Sequence, residues 1–171
     1  MIIIGIVFPF ISLFIMRKTR MISDFTLTQR KERIPVLIIV ILYYAMVYFM
    51  YRTWNENYLN LPTPFDPLMS FLFAGLIILA LATIITIKFK ISLHNIAVSG
   101  MAGGFLALTS VMSPINNLEM VFQLNAFLLI IMGVVGSSRL FLKAHSLKEV
   151  IAGMMLGFAI EYVVVINQWS I

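Results

Sequence analysis

A chain of 171 residues that is 61% hydrophobic and 11% charged, with a mean hydropathy of +1.03, lies far from a soluble domain, where about half the residues are apolar and about a quarter charged. The class that remains is a membrane protein with several spans, and the absence of cysteine excludes disulfides and thiolate metal sites. The net charge of +5 does not indicate nucleic acid, because the basic residues fall between apolar runs and not along a soluble face; membrane lipid headgroups or an anionic substrate suit it better.

In chain order, the first apolar run, MIIIGIVFPFISLFIM, is followed by RKTR. A signal peptide places its charge before the apolar region and small residues after it. Here the order is reversed, and the stretch reads as a short first span. Apolar runs at 1–16, 34–51, 68–87, 95–112, 121–136 and 147–168 predict six helices. The first and fifth fall short of the roughly 20 residues that a ~30 Å hydrocarbon core requires. RTWNENYLNLPTPFDP, 52–67, is rich in proline and asparagine and reads as a loop, as does SPINN at 113–117. With no internal repeat and no linker, the chain is expected to form one all-α domain over 1–171, a polytopic helical bundle.

Six spans put the first, third and fifth connections on one face. These hold Arg17, Lys18, Arg20, Arg30, Lys31, Arg33, Lys88, Lys90, Arg139, Lys143 and Lys148, which leaves only Arg52 opposite. Trp54, Tyr58 and Trp169 fall at the other interface, where aromatic belts form. The positive-inside rule makes the basic face cytoplasmic, but cations that serve a substrate say nothing of topology, so orientation stays open.

Both histidines of the chain, His94 and His145, lie on that basic face at helix ends, in KFKISLH and SSRLFLKAH. In HSLKE, His145 and Glu149 are four apart and share a helix face. A carboxylate there can accept from imidazole Nδ1, fix the tautomer and leave Nε2 as nucleophile or base. Attack on a phosphate ester needs cations around the equatorial oxygens, a nucleophile held in line and an acid for the leaving oxygen. Two histidines, several cations and one orienting carboxylate supply that set without a metal or cofactor.

Ser138-Arg139, five residues, His145, three residues, Glu149 resembles S-R-x5-H-x3-D, the third signature of the type 2 phosphatidic acid phosphatase superfamily. ISLH, 91–94, is similar to its second signature, P-S-G-H, and QRKERIP, 29–35, to its first, K-x6-R-P. KIS-x-H and the glycines Gly100, Gly103 and Gly104 also resemble small bacterial members, and the likeness covers the chain from about residue 22. It implies a bacterial cell-membrane enzyme that hydrolyses a lipid phosphate or polyprenyl pyrophosphate through a phosphohistidine. His145 would be the nucleophile, Glu149 its orienting carboxylate and His94 the acid. Arg139, Ser92, Ser138 and Arg33 would bind phosphate, with Arg30 or Lys31 in reserve for the first-signature lysine. This sequence departs from the pattern in having Glu149 for aspartate, Ile91 and Leu93 for proline and glycine, Thr26 where the lysine falls, and Pro35 one place late.

Those departures motivate an alternative, a non-catalytic lipid-binding or assembly protein on the phosphatase fold. A metal oxidase using His94, His145 and Glu149 is disfavoured by its few ligands, and a transporter by the lack of paired broken helices. Arg139, Lys143 and Lys148 also suit plain headgroup contacts. The glycines of SGMAGG and GMMLG read as close helix packing. Glu161, inside the last apolar run, is too far from Glu149 for one site and is expected to pair with a polar group near the opposite face.

Overall fold

The computed structural model describes residues 7–23, 30–56, 67–111 and 118–169. Its six helices are α1 (Phe8–Lys18), α2 (Arg30–Trp54), α3 (Pro67–Lys88), α4 (Leu93–Val111), α5 (Leu118–Phe141) and α6 (Leu147–Ile166), with no strand among the described residues. Lys31–Trp54, Pro67–Lys88, Glu119–Phe141 and Leu147–Ile166 are each long and apolar enough to cross a membrane. Helix α4 is as long as expected but carries His94, Asn95, Ser99 and three glycines. That composition suits a helix wrapped by protein better than one facing lipid.

The expected loop at 52–67 begins later, since α2 runs on to Trp54, and two further boundaries that bear on the site differ from the sequence reading. Helix α5 is not short, because Ser137 and Ser138 continue it: their hydroxyls donate to the Gly133 and Val135 carbonyls of their own helix, at 2.8 Å each. Helix α2 begins at Arg30, so the basic run is helical and not loop. Arg, Lys and Glu are good helix formers, and Glu32 in the first turn suits the helix dipole.

Helices α4 and α6 form the closest pair, and glycines set the approach. A Cβ on Gly153 would lie 2.8 Å from the Ser92 carbonyl oxygen; one on Gly157 would strike the Ile96 carbonyl, and one on Gly103 the backbone of Phe158. Ser99 Oγ, fully buried, donates to Ile96 O at 3.2 Å and to Gly153 O at 3.4 Å across this seam. Ile78, Ala82, Ile91 and Ile96 join α3 and the α3–α4 junction to the pair. Val47, Tyr48, Met69 and Leu72 bind α2 to α3, and Met16, Ile22 and Val36 bind α1 to α2. Phe122, Phe127, Ile130 and Val134 on α5 are exposed, an apolar face that suits a hydrocarbon solvent.

Three helices end alike. Arg20, Lys143 and Gln168 have φ of 60°, 50° and 57°, each just past a helix, and the backbone bonds around them are those of a Schellman turn. After α5, Lys143 N–H donates to Leu140 O at 3.0 Å and Ala144 N–H to Arg139 O at 3.1 Å.

Candidate active site

The site begins with that turn. Its closing bonds return the chain to Arg139, whose carbonyl is also 3.4 Å from His145 N–H. The five residues between Arg139 and His145 are therefore one helix end and one left-handed residue, and the spacing has a mechanical reading. The next residue, Ser146, starts α6 as its N-cap, with Glu149 at N3 in a capping box. Glu149 N–H donates to Ser146 Oγ at 3.4 Å, and Ser146 N–H donates to Glu149 Oε2 at 3.2 Å. The same Oε2 is 2.7 Å from His145 Nδ1. The His145 side chain is only 6% exposed and that of Glu149 18%.

Three contacts gather the other elements. Arg33, buried in the first turns of α2, donates from Nη1 to Ile91 O at 3.1 Å. Lys90 donates from Nζ to Ala144 O at 3.0 Å. Ser92 N–H donates to Glu149 O at 3.3 Å. The start of α2, the α3–α4 junction and the α5–α6 turn thus meet at one end of the bundle, the end on which six-span parity places the basic residues.

His94, second residue of α4, keeps an exposed edge. Burial of the rest of its ring lowers its pKa below the usual value, and the charges of Arg139, His145 and Arg33 lower it further. His145 is also lowered, first by burial; its hydrogen bond to Glu149 opposes this, while Arg33 and Lys90 add to it. The charges of Arg33, Lys90, Arg139 and Glu149 thus each act on one or both imidazoles. Arg139 Nε is buried and, among the described residues, has no hydrogen-bond partner.

Other candidates stand differently. The Ser92 hydroxyl, expected to face phosphate, is fully buried and donates to Asn95 Oδ1 at 2.7 Å. The Ser138 hydroxyl is likewise engaged by its own helix. Both bonds follow from position: a serine beside or within a helix finds a backbone or N3 partner before a ligand. Lys31 is exposed on α2, and the side chain of Arg30 lies outside the described residues. Lys90, Asn95 and Ser146 were not expected in the site. Ser146 was legible in S-x-x-E and Lys90 in the cationic run KFKISLH, whereas nothing local marks Asn95 as buried. Among the described residues no group of three His, Asp or Glu side chains is placed to hold a metal ion.

Residues 86–170 match the family model of the PAP2 superfamily. The matched half runs from the end of α3 through α6 and includes His94, Arg139, His145 and Glu149, but not α2 with Arg33. Through this region the chain belongs to the PAP2 superfamily, a phosphatase-type family. With its four span-length helices, it is a membrane protein of the phosphoester-hydrolase class. No curated protein and no solved structure matches the chain.

Proposed function

We propose that the protein is a multi-pass phosphatase of a bacterial cell membrane that hydrolyses a lipid phosphate or polyprenyl pyrophosphate through a phosphohistidine, with no metal required. The observation behind this reading is the 2.7 Å bond from His145 Nδ1 to Glu149 Oε2, which directs the Nε2 lone pair outward for attack. Burial, by lowering the pKa of His145, favours the neutral, nucleophilic ring at physiological pH.

In the first step His145 Nε2 forms a bond to phosphorus, the bond from phosphorus to the leaving oxygen breaks, and His94 gives that oxygen its proton. In the second, the now neutral His94 takes a proton from water. The resulting hydroxide attacks phosphorus, the P–N bond breaks, and inorganic phosphate leaves with His145 restored. Arg139, whose buried Nε–H lacks a partner among the described residues, Arg33 and Lys90 surround the charge that the transition state spreads over the equatorial oxygens.

Phosphate release from a panel of lipid phosphates and pyrophosphates, assayed in chelator, tests the reading. His145→Ala is expected to lower kcat about ten-thousand-fold, the scale of losing a catalytic nucleophile, and His94→Ala by about a hundred- to ten-thousand-fold. Undiminished turnover in His145→Ala would sink the mechanism. A wild-type protein that binds lipid phosphates without turnover or phosphoenzyme would be the lipid-binding alternative.

A further inference from the structure

Below the basic end, α2, α3, α4 and α6 enclose a cleft of about 520 Å³, within the range of about 300–1,000 Å³ usual for ligand sites. Its head adjoins the candidate active site. Val36 and Leu37 follow Arg33 by three and four residues, and Leu93 precedes His94. Ala97 and Met101, also in the lining, continue the helix face that His94 begins. From this head the cleft descends to Tyr44 and Glu161, its polar members in an otherwise apolar lining.

Glu161 lies 12 residues beyond Glu149 on α6, and Tyr44 11 beyond Arg33 on α2, roughly 16–18 Å down at the helical rise. The two are close enough to interact electrostatically. Glu161 is 6% exposed. The expected polar partner near the opposite face is not what it meets. Its Cγ lies against Gly104, and a Cβ on Gly100 would stand 3.7 Å from its Oε2. Among the described residues no donor makes a hydrogen bond to its carboxyl. Bare α4 backbone thus gives the carboxyl room at the foot of an apolar slot, where a polar group left without a partner is costly.

We infer that the cleft receives one hydrocarbon chain of the lipid phosphate, and that Glu161 selects a chain carrying a hydroxyl at mid-length. The inference rests on the lipid-phosphate reading of the head site. A plain alkyl chain fills the slot but leaves the carboxyl without a partner. A hydroxyl completes it in either protonation state, donating to a carboxylate or accepting from a carboxylic acid. An ammonium group would suit only the carboxylate and would cross apolar surroundings at a far higher cost.

The test is calorimetric binding, by the full chain in detergent, of non-hydrolysable phosphonate analogues of stearoyl lysophosphatidic acid. The series is the unsubstituted chain and isomers hydroxylated near the carboxyl end, at mid-chain and near the methyl end. Wild type is expected to bind the mid-chain isomer about tenfold more tightly than the plain chain, the scale of one hydrogen bond. Glu161→Leu should abolish that preference and bind the plain chain at least as well as wild type does. Glu161→Gln, which keeps an acceptor and a donor, should retain most of the preference. Equal binding of all isomers by wild type, an unchanged preference in Glu161→Leu, or no binding of any analogue overturns the inference. Because binding needs no turnover, the two readings fail separately: absence of hydrolysis with an intact preference removes the phosphatase and leaves the chain site.

Discussion

Glu149 shows what one methylene does. Its Oε2 accepts from the Ser146 backbone N–H, closing the capping box of α6, and also meets His145 Nδ1. A capping box uses Glu or Gln at N3 because the side chain must fold back over a full turn. The glutamate that departs from the family's aspartate is thus the residue that both starts α6 and orients the imidazole. Glu149→Asp is expected to lower kcat/KM about tenfold or more through lost reach, and Glu149→Gln further, since the amide no longer stabilises the charged ring. The pH profile separates orientation from folding. Glu149 raises the pKa of His145 against the larger effect of burial, so Glu149→Gln should move the acid limb of kcat/KM to lower pH while the maximum falls. In wild type both histidines titrate below the ordinary value. The neutral nucleophile and protonated acid therefore coexist on the acid side of neutrality, and the optimum of kcat/KM is expected there. An optimum above neutral pH, or an acid limb that Glu149→Gln leaves in place, would contradict these roles.

At the scale of elements, the segment SSRLFLKAHSLKE is a helix end, a left-handed turn and a helix start. Lys143 holds the turn with φ of 50°, a conformation that costs a non-glycine residue about 1 kcal/mol or more. Lys143→Gly is expected to leave activity within a few-fold and thermal stability unchanged or slightly higher, since glycine takes this conformation freely but loses more entropy on folding. Lys143→Val, β-branched, is expected to destabilise the fold by about 1–3 kcal/mol and to lower kcat as His145 shifts against Arg139. Melting temperature and turnover of the two variants check this. Equal melting of both would remove the turn as the cause of the spacing. The turn was not legible beforehand, because a lysine carries none of glycine's signal. The capping box was, because S-x-x-E is local chemistry. The serines at 92 and 138 follow the same local chemistry, their hydroxyls donating to Asn95 Oδ1 and to the Val135 carbonyl.

At the scale of the molecule, the active end depends on how closely α4 and α6 approach. Gly153 and Gly157 on one helix, and Gly103 on the other, leave backbone against backbone, and His94 and Glu149 stand at the head of that seam. Gly157→Ala places a methyl against the Ile96 carbonyl. It is expected to cost about 1–3 kcal/mol by forcing the helices apart, with a fall in kcat although the residue lies roughly three turns from His145 along the chain. Denaturation in detergent and a kcat measurement on the same preparation check it; Gly133→Ala, where nothing lies within 4 Å, serves as control and should be neutral or stabilising.

By itself the sequence determined the class of structure. Apolar runs of span length force helices, because hydrocarbon leaves no other way to satisfy the backbone. It also put Glu149 within reach of His145, although His145 lies just before α6 and the two meet because Glu149 folds back over the Ser146 cap, not along a shared helix face. The three-dimensional arrangement alone decided what those residues meet. Arg33 and Lys90 reach carbonyls 58 and 54 residues away, Ser92 turns to Asn95, and Glu161 faces a cleft. Such meetings depend on side-chain volumes at the α4–α6 seam and on where α2 and α3 close over it, and no local spacing encodes them.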